Sequence, residues 1–148
     1  MYVTKASITK RYWYIMVADS GASDTVITQF VIDESGASAN VESGKGSVVG
    51  FNNKTMNTSI QEVNLCLLSI GGTEQDPKLC TYKDQVQVIS EHKYLMDTLK
   101  DSDGKELLPI SGLLSSAFML EHKWVLDFGV GIMYSNNAEQ KEDIAKTD

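Results

Sequence analysis

Asp19 follows the apolar run Tyr12 to Val17 and opens the segment Asp19-Ser20-Gly21-Ala22-Ser23. A carboxylate at the end of an apolar strand, followed by Ser-Gly, suits acid–base chemistry on an amide. Attack of water on a peptide carbonyl needs a base to take a proton and an acid to protonate the leaving nitrogen. Two carboxylates in contact supply both, because like charges that close cannot both ionise and one proton is shared. The neighbouring residues fit the same task. Gly21 has no Cβ, so two loops can approach closely. Ser20 brings a hydroxyl able to tie one loop to the backbone of another. Ala22 leaves room for a substrate backbone. The same residues would also serve as an ordinary polar turn after a strand. The chain carries one such loop and no internal repeat. A second carboxylate would therefore come from a second copy of the chain.

Asp19 to Ile27 reads Asp-Ser-Gly-Ala-Ser-Asp-Thr-Val-Ile. This resembles the active-site loop of the retropepsins, the retroviral-type aspartic proteases, whose dyad is the standing example of proton sharing. Asp24 falls where retropepsins carry an acid that binds substrate backbone, and Ser23 stands where some viral members have a carboxylate. Downstream, Leu107-Leu108-Pro109-Ile110-Ser111-Gly112-Leu113-Leu114 resembles the apolar-apolar-Gly segment that packs behind that loop. Ser115 to His122 would then be a short helix, and Lys123 to Tyr134 the closing hairpin. Glu42-Ser43-Gly44-Lys45-Gly46-Ser47 stands where retropepsins place a glycine-rich flap. Two departures stand out. The stretch between flap and Gly112 is longer than in minimal viral enzymes, and the helix starts Ser115-Ser116-Ala117.

The resemblance implies a homodimeric aspartic endopeptidase with Asp19, Ser20 and Gly21 at the catalytic centre. It implies substrate contacts from Ala22, Ser23, Asp24, Ser43, Gly44, Lys45, Gly46, Gly112 and Leu113. Val26, Ile27, Leu113 and Leu114 would line pockets for extended, partly apolar peptides. Asp127 would belong to the closing hairpin and play a structural part. No cofactor or metal is implied. The alternative is a catalytically silent peptide-binding or scaffolding module on the same fold.

The elements that must position these residues read mostly as strands. Val3 to Ile8 and Tyr12 to Ala18 form an opening hairpin around Thr9-Lys10-Arg11. Val26 to Ile32 is β-branched and apolar without helical period, which predicts a strand, followed by a loop over Asp33 to Ala39. Val41 to Phe51 and Thr55 to Ile70 give the flap and the long strand behind it, joined at Asn52-Asn53-Lys54. Leu79 to Ser90 alternates as a strand. Glu91 to Leu99 reads as a short helix, with a strand as the alternative. The fold class expected is all-β: a closed, retropepsin-like acid-protease barrel with one or two short helices.

Composition narrows the function classes. The 148 residues are 42% hydrophobic and 22% charged, which are globular values. The formal charge of −7 and the absence of a basic stripe exclude a nucleic-acid backbone as the main partner. Residues 1–134 form one protease-like domain, and residues 135–148 an acidic tail expected to be largely disordered. Cys66 lies in an apolar run and reads as a buried free thiol, with a Cys66–Cys80 bridge as the alternative. Two cysteines, no visible signal peptide and no membrane span suggest a cytoplasmic protein. Asp127-Phe128-Gly129, the Gly44-x-Gly46 pair and Asp101-x-Asp103-Gly104 lack the partners that kinase, nucleotide or calcium sites need. His92 and His122 read as surface or capping residues rather than metal ligands.

Overall fold

The structure is a computed structural model and describes residues 2–36, 42–49, 55–69, 71–90, 93–95, 109–127, 132–135 and 143–146. The opening hairpin forms as expected. β1 (Tyr2–Ser7) pairs antiparallel with β2 (Tyr14–Ala18), with Val3 opposite Val17. Beyond β2 the chain makes the short strand β3 (Val26–Thr28) and then turns into helix α1 (Gln29–Ser35). The flap region follows as β4 (Glu42–Val49) and β5 (Thr55–Leu67), an antiparallel pair. β6 (Leu79–Ile89) runs back along β5. β7 (Ile110–Leu114) leads into α2 (Ser116–Glu121). The described chain ends with β8 (Trp124–Asp127), β9 (Ile132–Ser135) and β10 (Asp143–Lys146).

Seven strands form one sheet in the order β1-β2-β7-β3-β6-β5-β4. β1 also pairs with β5, through Ala6 opposite Leu67 and Ser7 opposite Cys66. That extra pairing closes the strands from β1 to β5 into a barrel and leaves β4 attached to β5. Closure removes the open edges that an all-β chain must otherwise protect. β7 enters between β2 and β3, parallel to β2 and antiparallel to β3. This threading places the Gly112 segment directly behind the residues that follow β2. The strands β8, β9 and β10 form a separate antiparallel sheet.

The core follows from strand alternation. Along β5, Val63, Leu65 and Leu67 are buried while Glu62 and Asn64 are exposed, the period of two that a pleated strand imposes. Met16, Ile27, Ile110, Leu114 and Phe118 join them with almost no exposed surface. Phe118 packs edge-on to Trp124, ring centroids 5.2 Å apart, and ties α2 to the second sheet. Removing a buried aromatic of this kind costs about 3–5 kcal/mol.

Three expectations are corrected. Val26 to Ile32 is not one strand: Gln29 begins α1, which ends at Gly36 in the left-handed conformation (φ 75°). Tertiary burial of Val31, Ile32 and Ser35 on one face outweighs the β-propensity of the segment. The loop expected from Asp33 is therefore the last turn of that helix. Within the tail, Asp143–Lys146 pairs with β9. Cys66 is disulfide-bonded rather than a free thiol. The other cysteine in the sequence, Cys80, lies on β6 at the bulge between Leu65↔Tyr82 and Leu67↔Leu79. Of the helix expected over Glu91 to Leu99, residues 93–95 are irregular and the rest lies outside the described residues, as do Asn52-Asn53-Lys54 and the turn Asp101 to Gly104.

Candidate active site

Asp19 sits one residue past the end of β2. Its N–H donates to the Leu114 carbonyl (3.0 Å), which carries the parallel β2–β7 pairing to the first residue of the loop. The chain then turns tightly, with the Ala22 N–H donating to the Asp19 carbonyl (3.1 Å). The Gly21 N–H donates to Asp19 Oδ1 (2.9 Å). One carboxylate oxygen is thus fixed by its own loop, leaving Oδ2 for a proton partner. A Cβ on Gly21 would lie 3.3 Å from that Oδ1, so the tight turn favours glycine here. Asp19 is half-buried, while Ser20 and Gly21 are exposed.

The far side of the loop is held by α2. The Ser116 N–H and hydroxyl both donate to the Ala22 carbonyl, at 2.9 and 3.1 Å. Ser115 caps the helix, its Oγ accepting from the Phe118 N–H at 3.0 Å. The Ser115 N–H donates to Thr25 Oγ1 (3.1 Å), and the Thr25 and Ser115 hydroxyls lie 3.0 Å apart. Both residues are almost fully buried. Thr25 lies near enough to the Asp84 side chain on β6 to act on its carboxyl. Burial is the main reason that the Asp84 carboxyl is pushed up to about 6. The charges of Glu121 and Asp24 add to the rise, while the Thr25 side chain opposes it. His122 forms the end of α2 and packs on Phe118 with ring centroids 4.5 Å apart; burial lowers its pKa.

Gly112 is a packing residue rather than a substrate contact. It is buried between Met16 on β2 and Ile27 on β3, and a Cβ there would lie 2.8 Å from Met16 Cε and 3.0 Å from the Val26 carbonyl oxygen. Only glycine lets the three strands come this close. Ile27 and Leu114, expected in pockets, show no exposed surface and belong to the core. Val26 is buried as well, and Leu113 is half-buried. Ile27 and Leu114 join the core cluster, whereas their chain neighbours Val26 and Leu113 fall on the opposite face of their strands. Ala22 is half-buried, and Ser23 and Asp24 are exposed, with the Ser23 hydroxyl 3.5 Å from Asp24 Oδ2.

Ser43, Gly44, Lys45 and Gly46 lie within β4, not in its turn. Gly44 is opposite Ile60, Lys45 opposite Ser59 and Gly46 opposite Thr58. β4 continues to Val49 and β5 begins at Thr55, within the strands expected over Val41 to Phe51 and Thr55 to Ile70. Gly46 serves close approach instead, since a Cβ would lie 2.9 Å from Gln87 Oε1. Gln87 had no mark in the sequence, yet it links two parts of the site. Its N–H donates to the Thr25 carbonyl (2.9 Å), and its side chain lies under Gly46 and accepts from the Thr58 hydroxyl. Thr25 and Asp84 were equally unmarked. Ser115 alone carried a signal, a serine directly before an apolar helix.

Strand threading, the loop after β2 and the helix behind it together give a retropepsin-like, all-β fold. Among solved structures the chain is similar to the retroviral protease-like domain of Ddi1 from Leishmania major, with a TM-score of 0.59 and 10% identity. The match covers 100% of this chain and 91% of that one. At this identity the likeness is one of fold. No family model matches the sequence, and no curated protein does. Among the described residues, no helix is long and apolar enough to cross a membrane.

Proposed function

We propose that this chain is an aspartic endopeptidase that works as a homodimer. The observation that carries the reading is Asp19 itself, a half-buried carboxylate at the end of a barrel strand with one oxygen fixed by the Gly21 N–H. That loop occurs once in the sequence, so the second carboxylate is the Asp19 of another copy. The two share one proton. The ionised carboxylate takes a proton from water as the water oxygen attacks the scissile carbonyl, and the protonated one stabilises the developing oxyanion. The tetrahedral species collapses when the leaving nitrogen receives a proton, and the C–N bond breaks.

The neighbours take supporting roles. Ser20 is exposed beside Asp19 and braces the two loops across the two-fold axis. Gly21, Ala22, Ser23 and Asp24 hold extended substrate backbone. Ser43 to Gly46 on β4 cover it, and Leu113 offers an apolar wall. The substrate class is extended, partly apolar peptide.

Sedimentation across concentration, with a peptide-library cleavage assay on the same sample at mildly acidic pH, tests the reading. A dimer that cuts, with cutting lost in Asp19→Asn, is the expected result. A stable monomer that never cuts would overturn it and favour a silent peptide-binding module. An activity optimum above neutral pH would also count against it, because the dyad must carry one proton.

A further inference from the structure

We propose that Gln87 is the specificity residue of the Asp19 site, its side-chain amide selecting peptides that present a neutral, carbonyl-tipped side chain, that of Asn or Gln. The inference deepens the peptidase reading and rests on it for its catalytic consequence, while the binding preference stands apart from cleavage. Strand register carries it. Leu113 on β7 lies opposite both Val17 on β2 and Val26 on β3. Val26 lies opposite Gln87 on β6, Gln87 opposite Ile60 on β5, and Ile60 opposite Gly44 on β4. Directly paired residues share a face of the sheet, so these positions form one row from β2 to β4.

The row is not the barrel interior. The chain neighbours Met16, Ile27, Leu114, Val86 and Val88 belong to the core cluster, which puts the row on the other face. Asp19 stands two positions beyond Val17, and its N–H still bonds the Leu114 carbonyl, so its parity is that of the row. The row therefore runs from the Asp19 loop to the strand proposed to cover the substrate. Val17 and Val26 are buried, whereas Leu113, Gln87 and Ile60 are half-buried and reachable. At the β4 end Gly44 brings no side chain, and a Cβ there would meet only Ile60 Cδ1, at 3.9 Å.

Gln87 is the single polar member of this row. Its Oε1 accepts from the Thr58 hydroxyl and lies 2.9 Å from where a Cβ on Gly46 would stand. The oxygen is committed, which leaves the Nε2 protons as donors without a protein partner among the described residues. A donor set in an apolar surface favours a ligand that brings an acceptor to it and disfavours one that leaves it unpaired. Charge decides which acceptor. Asp24 directly precedes Thr25, whose carbonyl accepts from the Gln87 N–H at 2.9 Å, so negative charge stands at this end of the row. Lys45, on β4, is opposite Ser59 and falls on the other face. A carboxylate meets repulsion without a compensating cation, and an aliphatic tip leaves the donor idle. A carboxamide satisfies it.

The test uses the full-length protein and peptides that differ at one position at a time, where Gln, Glu or Leu is placed. Binding is measured near neutral pH with nitrogen-15-labelled Asp19→Asn, which leaves the peptide uncut, and kcat/KM with the wild-type protein. At one position Gln should be preferred over Leu and Glu by about tenfold, as one well-placed neutral hydrogen bond allows. The Gln87 side-chain amide signals should shift with the Gln peptide and not with its Leu counterpart. Gln87→Leu should abolish the preference or turn it towards Leu. Thr58→Val, which takes the donor from Oε1 and frees the amide to turn, should reduce it. Equal treatment of the three peptides at every position would overturn the inference, as would a Gln preference that persists in folded Gln87→Leu. If Gln87→Leu fails to fold, Gln87 amide signals that ignore the Gln peptide overturn it equally. A chain that prefers Gln in binding but never cuts loses the peptidase reading and keeps the subsite. A chain that cuts without the preference loses the subsite alone, and one that neither binds nor cuts loses both.

Discussion

The Asp19 loop and strand β4, both assigned to the proposed site, are held in different ways. The loop is bonded from β7 through the Leu114 carbonyl, from α2 through Ser116, and from within through Gly21 and Ala22. β4 ends the order of the large sheet, with β5 as its ladder partner. Its residues alternate between half-buried and exposed, and Val49 is 68% exposed. The loop is therefore seated on the core, and β4 lies over it through one strand and the Gln87 side chain. Chemistry that needs fixed groups belongs on the first, and a cover that must part for an extended chain belongs on the second. Substitutions in the two regions should separate accordingly.

The largest effect falls on the loop. Asp19→Asn keeps the shape and removes the shared proton, so cleavage should drop on the order of 10⁴-fold or more. Circular dichroism and thermal melting should show a fold unchanged from wild type, which separates chemistry from stability.

Gly112→Ala and Gly46→Ala form a matched pair that sharpens the contrast. At Gly112 the new methyl meets a backbone carbonyl and a buried methionine inside the barrel. A loss of about 1–3 kcal/mol is expected in urea unfolding, with activity falling in step. Ser115→Ala comes next. It removes a helix cap and one hydroxyl of the buried pair. About 1 kcal/mol should be lost, with a larger share in KM and kcat than surface substitutions of similar cost. Gly46→Ala should cost least, within about 0.5–1 kcal/mol, because the methyl meets the movable tip of Gln87 on an edge strand. Equal losses at Gly46 and Gly112 would break the comparison between seat and cover.

Legibility in the sequence followed the range of the interactions. The Asp19 loop, the Gly112 segment and the hairpin of β8 with β9 are local patterns, so residue types and order revealed them. The opening hairpin was readable because Thr9-Lys10-Arg11 breaks two apolar runs, and Lys10 does adopt a positive φ of 66°. α1 was hidden. Its N-cap residue Thr28 makes no side-chain cap bond and its first turn has no acid, so the usual start signals are missing. Gly36 was the one readable stop signal. The polar layer under the loop could not be read at all. Thr25 and Ser115 are ninety positions apart, and Asp84 looks like any polar residue of an alternating strand. Barrel closure alone brings these three together. Gln87 was hidden for the same reason, and Ile27 and Leu114 were misplaced because sequence gives the alternation of a strand but not which face the core takes.

The most direct test of a shared Asp19 dyad is a mixing experiment. Wild-type protein is combined with Asp19→Asn at fixed total concentration, allowed to exchange subunits, and assayed for cleavage at mildly acidic pH. Two Asp19 side chains per site predict activity that falls as the square of the wild-type fraction, to about a quarter at equal mixing, as random pairing of two-fold dimers requires. A linear fall, to about half at equal mixing, would mean that each chain cuts by itself and would contradict the account.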